Sequence, residues 1–373
     1  MHVEELGRRV QAAREQRGLK VRALARAAQL SDTMLHRIER GESMPGLEVA
    51  TRLARALSVR PSWLLFGESE RGRGDIVVAP NFLPTEVSRR ISEAIDSTGE
   101  VPEEAKYLDP DGCRAYLSLV SEPSYRTLLE GAPLRQIADR LRESVGQNVR
   151  LGVVCLGSGH AAFEDRLLAL LLPRVRVASI ACVDISSALL VLGGRRICET
   201  LQLYPQVDSS FVYGDFHDLP WEAALHPDRR NLITLFGNIF CNFAAAEDFV
   251  RRIPLKRGDL VLLDITLPAS PPDADPALSR PIGFSSRLFD FLAAPLLKGR
   301  SAEDLQLGIK VELGEWDYSH RIVAKTIQGR QYTVGIARRI SVERLEEMLV
   351  PLAVIGVFAY GASLRAMVLM ERM

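Results

Sequence analysis

Apolar residues recur at helical spacing in the first part of the chain and in short unbroken runs through its middle. Leu6, Val10 and Ala13 share one helical face that ends near Gly18, and Leu24, Ala25 and Ala28 mark a second short helix. Ser31 stands as an N-cap before DTMLHRIER, which stops at Gly41. Two further helices are predicted around Leu47–Leu57 and Pro61–Leu65. The charged, glycine-bearing ESERGRGD then reads as a flexible boundary, followed by helical patterns at Pro84–Asp96 and Leu134–Ser144. Strands are predicted at 151–156, 178–184, 210–213, 231–236 and 259–265, with helices filling the gaps. Runs this apolar, alternating with helices, imply a parallel sheet covered on both faces. Pro268, Pro271, Pro272, Pro276 and Pro281 break the pattern into a loop that would lie over a pocket as a lid. Residues 307–341 alternate as an antiparallel meander with a turn at Gly329. After Pro351, LAVIGVFAY and ASLRAMVLM meet at Gly361 as a terminal hairpin.

The fold class is therefore α/β: an N-terminal all-α helix-turn-helix unit, then a Rossmann-like doubly wound sheet with a β-meander insertion. The expected divisions are 1–68 for the helical head, 69–83 for a linker and 84–149 for a helical cap on the substrate side. The sheet core follows at 150–267, the lid and antiparallel insertion at 268–350 and the hairpin at 351–373.

Chemistry concentrates at strand ends. RLGVVCLGSGHAA (150–162) is a buried strand feeding a glycine turn into a helix, and Gly157 and Gly159 let the backbone approach a ligand. Asp184 ends the next strand and is placed to accept bonds from both ribose hydroxyls, and Asp215 ends the third. Such sheets bind ligands outside their C-terminal strand ends. With Ala at 162 the first motif admits a nicotinamide dinucleotide, whereas Asp215 and the terminal hairpin favour S-adenosylmethionine. No Ser-His-Asp set, zinc pattern or carboxylate pair stands out, so no catalytic residue and no metal is assigned.

Charge alters the picture of the head. The chain balances 47 Lys and Arg against 47 Asp and Glu, but residues 1–68 hold twelve against eight. A basic head on a mildly acidic body points to a polyanion partner for the head alone. The five cysteines show no metal or disulfide spacing and read as buried thiols of a cytoplasmic protein. No apolar run reaches membrane-spanning length and no signal peptide opens the chain.

Two resemblances sharpen these readings. Leu6 to Glu68, through REQRGLKVRALARAAQLS, LHRIERGESMP and LARALSV, resembles the XRE (Cro/repressor-type) helix-turn-helix family, with Ile38 to Pro45 as its specific segment. The resemblance implies duplex DNA as partner and two-fold dimers reading half-sites about 34 Å apart. It places Asp32, Thr33, His36 and Arg37 of the recognition helix at base edges, and Arg17, Lys20, Arg22 and Arg40 at phosphates. Lys20-Val21 stand where the family often has Gln.

From about residue 105 onward the chain resembles the histidine-specific (ergothioneine-type) methyltransferases. The likeness runs through LGSGHAAFEDRLL, VDISSALL, YGDFHDLP, LITLFGNIFCNF and RGDLVLLDITL. It implies S-adenosylmethionine as cofactor, with S-adenosylhomocysteine as product. Gly157, Ser158, Gly159, Asp184, Ile185, Asp215, Phe216 and Gly237 would hold the cofactor, Asp184 on the ribose and Asp215 with Phe216 along the adenine. In the same resemblance Asn242 holds the backbone of an amino-acid substrate, Asn238 lies beside it and Tyr125 belongs to the lid. Other aromatics of that stretch, Tyr107 and Tyr116, are expected mainly as core.

The departures are Cys155 where an acid usually stands, Ala161 in place of the third glycine, and no matching Glu in QYTVGIARRIS to bind a histidine ring. Glu315, Trp316, Tyr318 and His320 are expected at a solvated hairpin tip, with the lining of a different pocket as the alternative. Two functions stay open: a DNA-binding regulator fused to a methyltransferase of a small amine or amino acid-like compound, or an inactive methyltransferase fold sensing cofactor or metabolite for the head.

Overall fold

The five head helices form where apolar spacing and caps put them: α1 (His2–Gln16), α2 (Val21–Ala27), α3 (Asp32–Glu39), α4 (Leu47–Leu57) and α5 (Pro61–Phe66). The computed structural model describes residues 2–67, 74–79, 82–108, 110–146, 148–219, 221, 224–268, 285–297, 304–313, 317–361 and 364–373. Ser31 caps α3 by accepting from the Met34 N–H at 3.1 Å, which satisfies one of the helix's unpaired donors. Arg14 of α1 grips Glu39 of α3 through two bonds, Nε–Oε1 at 2.6 Å and Nη2–Oε2 at 3.2 Å, in a largely buried fork. Gly41 ends the motif at φ +70°, and a Cβ there would lie 2.7 Å from the Glu4 Cα. That approach is why the segment needs glycine.

Among the described residues the sheet carries eight strands. β1 (Gly74–Val78), β2 (Leu151–Leu156), β3 (Val177–Asp184), β4 (Asp208–Tyr213), β5 (Arg230–Leu235) and β6 (Leu260–Thr266) pair in parallel. The last pair of the chain, β10 (Leu352–Tyr360) and β11 (Arg365–Arg372), inserts antiparallel beside β6, giving the order β1-β4-β3-β2-β5-β6-β11-β10. β2 is flanked by β3 on one side and β5 on the other, so connections diverge at its tip and leave a crevice there. Strands β2 and β3 are buried at every position, as expected of strands covered on both faces. Strand β1 lies inside the stretch read as a linker. Its GDIVV is too short and too polar at its start to announce itself, and it pairs only at the edge, with β4.

Helices α11 (Ala162–Leu171), α12 (Ser187–Leu201) and α13 (Ala246–Arg252) cover the sheet. Over the strand tips lie α6 (Pro84–Thr98), α7 (Ala105–Leu108), α8 (Pro110–Val120), α9 (Pro123–Glu130) and α14 (Ser286–Ala293), while α10 (Leu134–Val145) packs beside α11 and β10. The meander is a separate three-stranded antiparallel sheet of β7 (Leu305–Leu313), β8 (Asp317–Thr326) and β9 (Gln331–Ile340), followed by α15 (Val342–Met348). The β8–β9 turn falls at Gly329, where φ is +85°. The expected lid at 269–284, with Glu315 and Trp316 and the Tyr318 side chain, lies outside the described residues.

The head packs on the body through α5. The Phe66 and Phe211 rings meet at 5.0 Å, and Glu5 of α1 pairs with Arg195 of α12 at 2.9 Å.

Candidate active site

Strand register brings the functional tips level. Leu156 of β2 pairs with Val183, Asp184 pairs with Tyr213, and Leu235 pairs with Leu263, so Gly157, Asp184, Asp215, Gly237 and Asp264 meet at one edge of the sheet. Gly157 (φ +61°) leaves no room for a side chain, since a Cβ would sit 2.5 Å from Ile239 Cδ1. Asp184 is buried and accepts from the Gly159 N–H at 2.6 Å and the Ser186 N–H at 2.8 Å. Burial pushes its carboxyl up to about 6 against the pull of those two backbone bonds. A carboxylate has about four acceptor positions, so two remain for a ligand.

The third glycine of the motif is Ala161, and it still adopts the left-handed conformation, φ +54°. The accommodation comes from α12: a Cβ on Gly193 would stand 2.7 Å from the Gly159 carbonyl and 3.1 Å from the Ala161 methyl. Gly193 therefore gives the loop, with its extra methyl, room to lie on the helix.

Beyond β5 the chain turns through Gly237 (φ +71°) and Asn238 (φ +68°) into a short 3-10 turn, Ile239–Asn242. Asn is one of the few residues that adopts this conformation readily. Asp264, fully buried at the end of β6, accepts from the N–H groups of Gly237 (3.0 Å) and Asn238 (3.3 Å). Its other partners are the Tyr360 hydroxyl at 2.6 Å and the Arg365 guanidinium. Asn238 then donates to Asn242 Oδ1 at 3.1 Å and accepts from Thr266 at 2.7 Å. With its oxygen so engaged, Asn242 offers its Nδ2 donors to a ligand.

These residues line a cavity of about 230 Å³. Gly157, Gly159, Asp184, Ile185, Asp215, Phe216, Gly237, Asn238, Asn242 and Tyr125 all border it, bringing together the predicted cofactor and substrate sets. Ser158 is the exception. Its N–H bonds the Val183 carbonyl at 3.2 Å, which turns the residue inward, and its buried hydroxyl borders no part of the cavity.

Asp215 accepts from the His217 N–H at 2.9 Å and faces its ring nitrogen at 3.1 Å. Burial would raise this carboxyl, but the His217 bonds and charge outweigh it and hold it below its ordinary value. The sequence reading missed Glu103, Glu104, Tyr107, Tyr116, His217 and Phe291, which also border the cavity. Tyr107 and Tyr116, expected as core, form its roof with Phe291, their rings 5.4–5.8 Å from one another. Burial raises the Glu104 carboxyl above its ordinary value. The adjacent acids in VPEEAKY were the available signal, and nothing in their spacing said which way they faced.

His320 is also placed differently from expectation. It is inside β8 and 2% exposed, so the hairpin-tip reading fails for it, and it lines a second cavity. On the head, Lys20, Asp32, Thr33, His36, Arg37 and Arg40 are all exposed, as are Arg17 and Arg22, while Leu35 and Ile38 of α3 face the core. Arg40 shares an exposed ion pair with Glu42 at 2.9 Å.

A doubly wound sheet with a glycine turn, two strand-end acids and an inserted terminal hairpin defines a Rossmann-like methyltransferase domain, here behind a helix-turn-helix head. Residues 10–64 match the helix-turn-helix family and residues 89–274 match the family of SAM-dependent histidine-specific methyltransferases. The chain is thus a DNA-binding helix-turn-helix domain fused to a SAM-dependent methyltransferase domain of that family.

Among solved structures, the glycopeptide N-methyltransferase MtfA complexed with sinefungin is similar at 13% identity and a TM-score of 0.36, over 64% of this chain and 94% of that one. The CcbJ methyltransferase from Streptomyces caelestis is similar at 14% identity and a TM-score of 0.34, over 64% and 89%. For the head, the restriction-modification controller protein C.AhdI from Aeromonas hydrophila is 29% identical over 17% of this chain and 94% of that one, at a TM-score of 0.16. No curated protein sequence matches. The site fits S-adenosylmethionine on its own geometry: a glycine turn that a Cβ would obstruct, a buried acid with acceptor capacity to spare, and an acidic, aromatic-roofed cavity suited to a sulfonium cation.

Proposed function

We propose that this is a cytoplasmic, homodimeric transcriptional regulator whose body methylates a small amine or amino acid-like compound. The observation that carries the acceptor reading is the roof. Tyr107, Tyr116 and Phe291 roof the site, and the space beneath them, about 230 Å³ to be shared with the cofactor, suits small acceptors rather than a nucleic-acid strand. When bound, S-adenosylmethionine supplies an electrophilic methyl group on a sulfonium sulfur. The chain's part is to hold the acceptor nitrogen in line and close to it, about 3–3.5 Å away, with its lone pair free. Glu103 and Glu104 border the cavity where such a nitrogen would lie, and Glu104, once ionised, would receive the proton the nitrogen sheds. On the head, the exposed Asp32, Thr33, His36 and Arg37 would read bases while Lys20 and Arg40 meet phosphates.

Titration of the full chain with S-adenosylhomocysteine tests the cofactor site. Asp184→Ala should weaken binding at least tenfold, since each charged hydrogen bond contributes about 1.5–3 kcal/mol. Unchanged affinity removes Asp184 from the ribose.

A second reading keeps the site and drops the chemistry, with the body as a sensor of cofactor. The seating of the head on α12, whose first turn caps the Asp184 loop, favours it. Methylated product in a mass-spectrometric screen of amines decides for the enzyme.

A further inference from the structure

A second cavity of about 260 Å³ opens between α14 and the meander sheet, and Glu103, Asn242 and Phe291 line both it and the cofactor cavity. Its walls are Leu288, Phe291 and Leu292 on one side and Ile309, Ile322 and Ile336 on the other. Register explains the hollow. Ile309 pairs with Ile322 and Ile322 with Gly335, so one rung of the sheet carries two isoleucines and then no side chain. A Cβ on Gly335 would meet Leu292, Ile322 and Lys106 Nζ at 3.4–3.6 Å, so anything larger than a methyl would fill the space.

Charge decides what enters. Glu103, Glu104, Asp184 and Asp215 border the cofactor cavity, and among its described lining residues there is no Lys or Arg. The one lysine of the second chamber, Lys106, is 1% exposed and committed to Glu103 at 2.5 Å and the Val334 carbonyl at 3.3 Å. Glu103 is already neutralised by Lys106. A carboxylate arriving here would face Glu104, Asp184 and Asp215 with neutral donors, among them Asn242 and the Tyr107, Tyr116 and Tyr125 hydroxyls, but no free lysine or arginine among the described lining residues to meet it, whereas an ammonium or amine group is favoured. An apolar cavity of about 150 Å³ already holds a benzene ring.

We propose that the methyl acceptor is an amine without a carboxylate, carried on a branched aliphatic or aromatic body that fills the Ile309–Ile322–Gly335 chamber. Its nitrogen would lie beside Glu103, which borders both cavities. The proposal rests on the methyltransferase reading and departs from an amino-acid acceptor.

The test pairs each amine with the amino acid that shares its side chain: isoamylamine with leucine, phenethylamine with phenylalanine, and histidine as a further comparison. Each is titrated calorimetrically into the full chain saturated with S-adenosylhomocysteine. The amines should bind at least tenfold tighter than their amino acids. Gly335→Leu should weaken amine binding at least tenfold and leave S-adenosylhomocysteine affinity near wild type, while Gly335→Ala stays within about threefold. If the leucine variant fails to fold, Ile322→Ala, which enlarges the chamber, should weaken isoamylamine more than phenethylamine. Amino acids binding as tightly as amines, no amine binding, or amine affinity indifferent to the chamber variants would each overturn the proposal. Failure to bind S-adenosylhomocysteine at all would instead sink the methyltransferase reading beneath it.

Discussion

Glu164 sits in the first turn of α11, 5% exposed, and lines a small void with Cys155 directly behind the glycine turn. Burial raises its carboxyl from 4.5 to about 8, with the nearby Asp184 adding to the push. The folded protein therefore keeps a proton that the unfolded chain has released between those two values. Stability from this group is complete below pH 4.5 and declines as pH rises toward 8. Asp184 acts in the same direction between 3.8 and about 6, whereas buried His160, lowered from 6.5 to about 4, acts oppositely across that interval. Above pH 6.5 Glu164 is the member of the three still titrating. Urea midpoints should fall from pH 6.5 to 8, and Glu164→Gln should flatten the decline by up to about 1.4 kcal/mol per pH unit. Parallel curves for the two proteins would show that Glu164 ionises freely in the fold.

At the scale of elements, the terminal hairpin does more than finish the sheet. Tyr360 ends β10 and Arg365 begins β11, and both reach Asp264, which holds the left-handed Gly237–Asn238 turn and through it Asn242. Arg365→Met leaves a buried carboxylate without its charge partner and should cost about 3–5 kcal/mol in urea unfolding. Tyr360→Phe removes one bond and should cost about 1–3 kcal/mol. Equal, small losses would mean that the hairpin merely covers the edge. This arrangement also marks where sequence reading stops. The five buried strands and the hairpin were legible because strands covered on both faces must be apolar throughout. Gly157 and Asp184 were legible because backbone approach and strand-end acids leave short local signatures, whereas Asn242 came only from the family resemblance. Asp264 was invisible as a hub, since its side-chain partners lie 96 and 101 residues away. Tyr107, Tyr116 and Glu104 faced the same difficulty: whether a residue of a covering helix lines a cavity depends on how that helix is seated, which its own periodicity does not state. His320 was misjudged because alternation gives the strand without saying what packs on either face.

Across the whole molecule, one helix touches both functions. α12 is capped by Ser186, whose N–H bonds Asp184, and Leu189 in its first turn borders the cofactor cavity. One turn further Gly193 lies against the Gly159 carbonyl, and the next two residues meet the head. A Cβ on Gly194 would be 2.9 Å from Phe66 Cζ, and Arg195 pairs with Glu5 of α1. Arg9 of α1 in turn donates to the Leu64 and Leu65 carbonyls of α5, which ties together the two head helices that touch α12. A ligand that drew the glycine turn and Asp184 toward itself would press on the helix on which the head rests. Coupling of this sort amounts to about 1–3 kcal/mol, or 5–150-fold in affinity, and it is reciprocal. Duplex selected by the protein from random sequence should therefore bind with a different Kd in saturating S-adenosylhomocysteine than without it, at fixed salt. Phe66→Ala, which empties the contact against Phe211 while leaving α3 and the cavity intact, should bring the two values together. Equal affinities in the wild-type protein, with and without S-adenosylhomocysteine, would mean that head and body share a chain and nothing more.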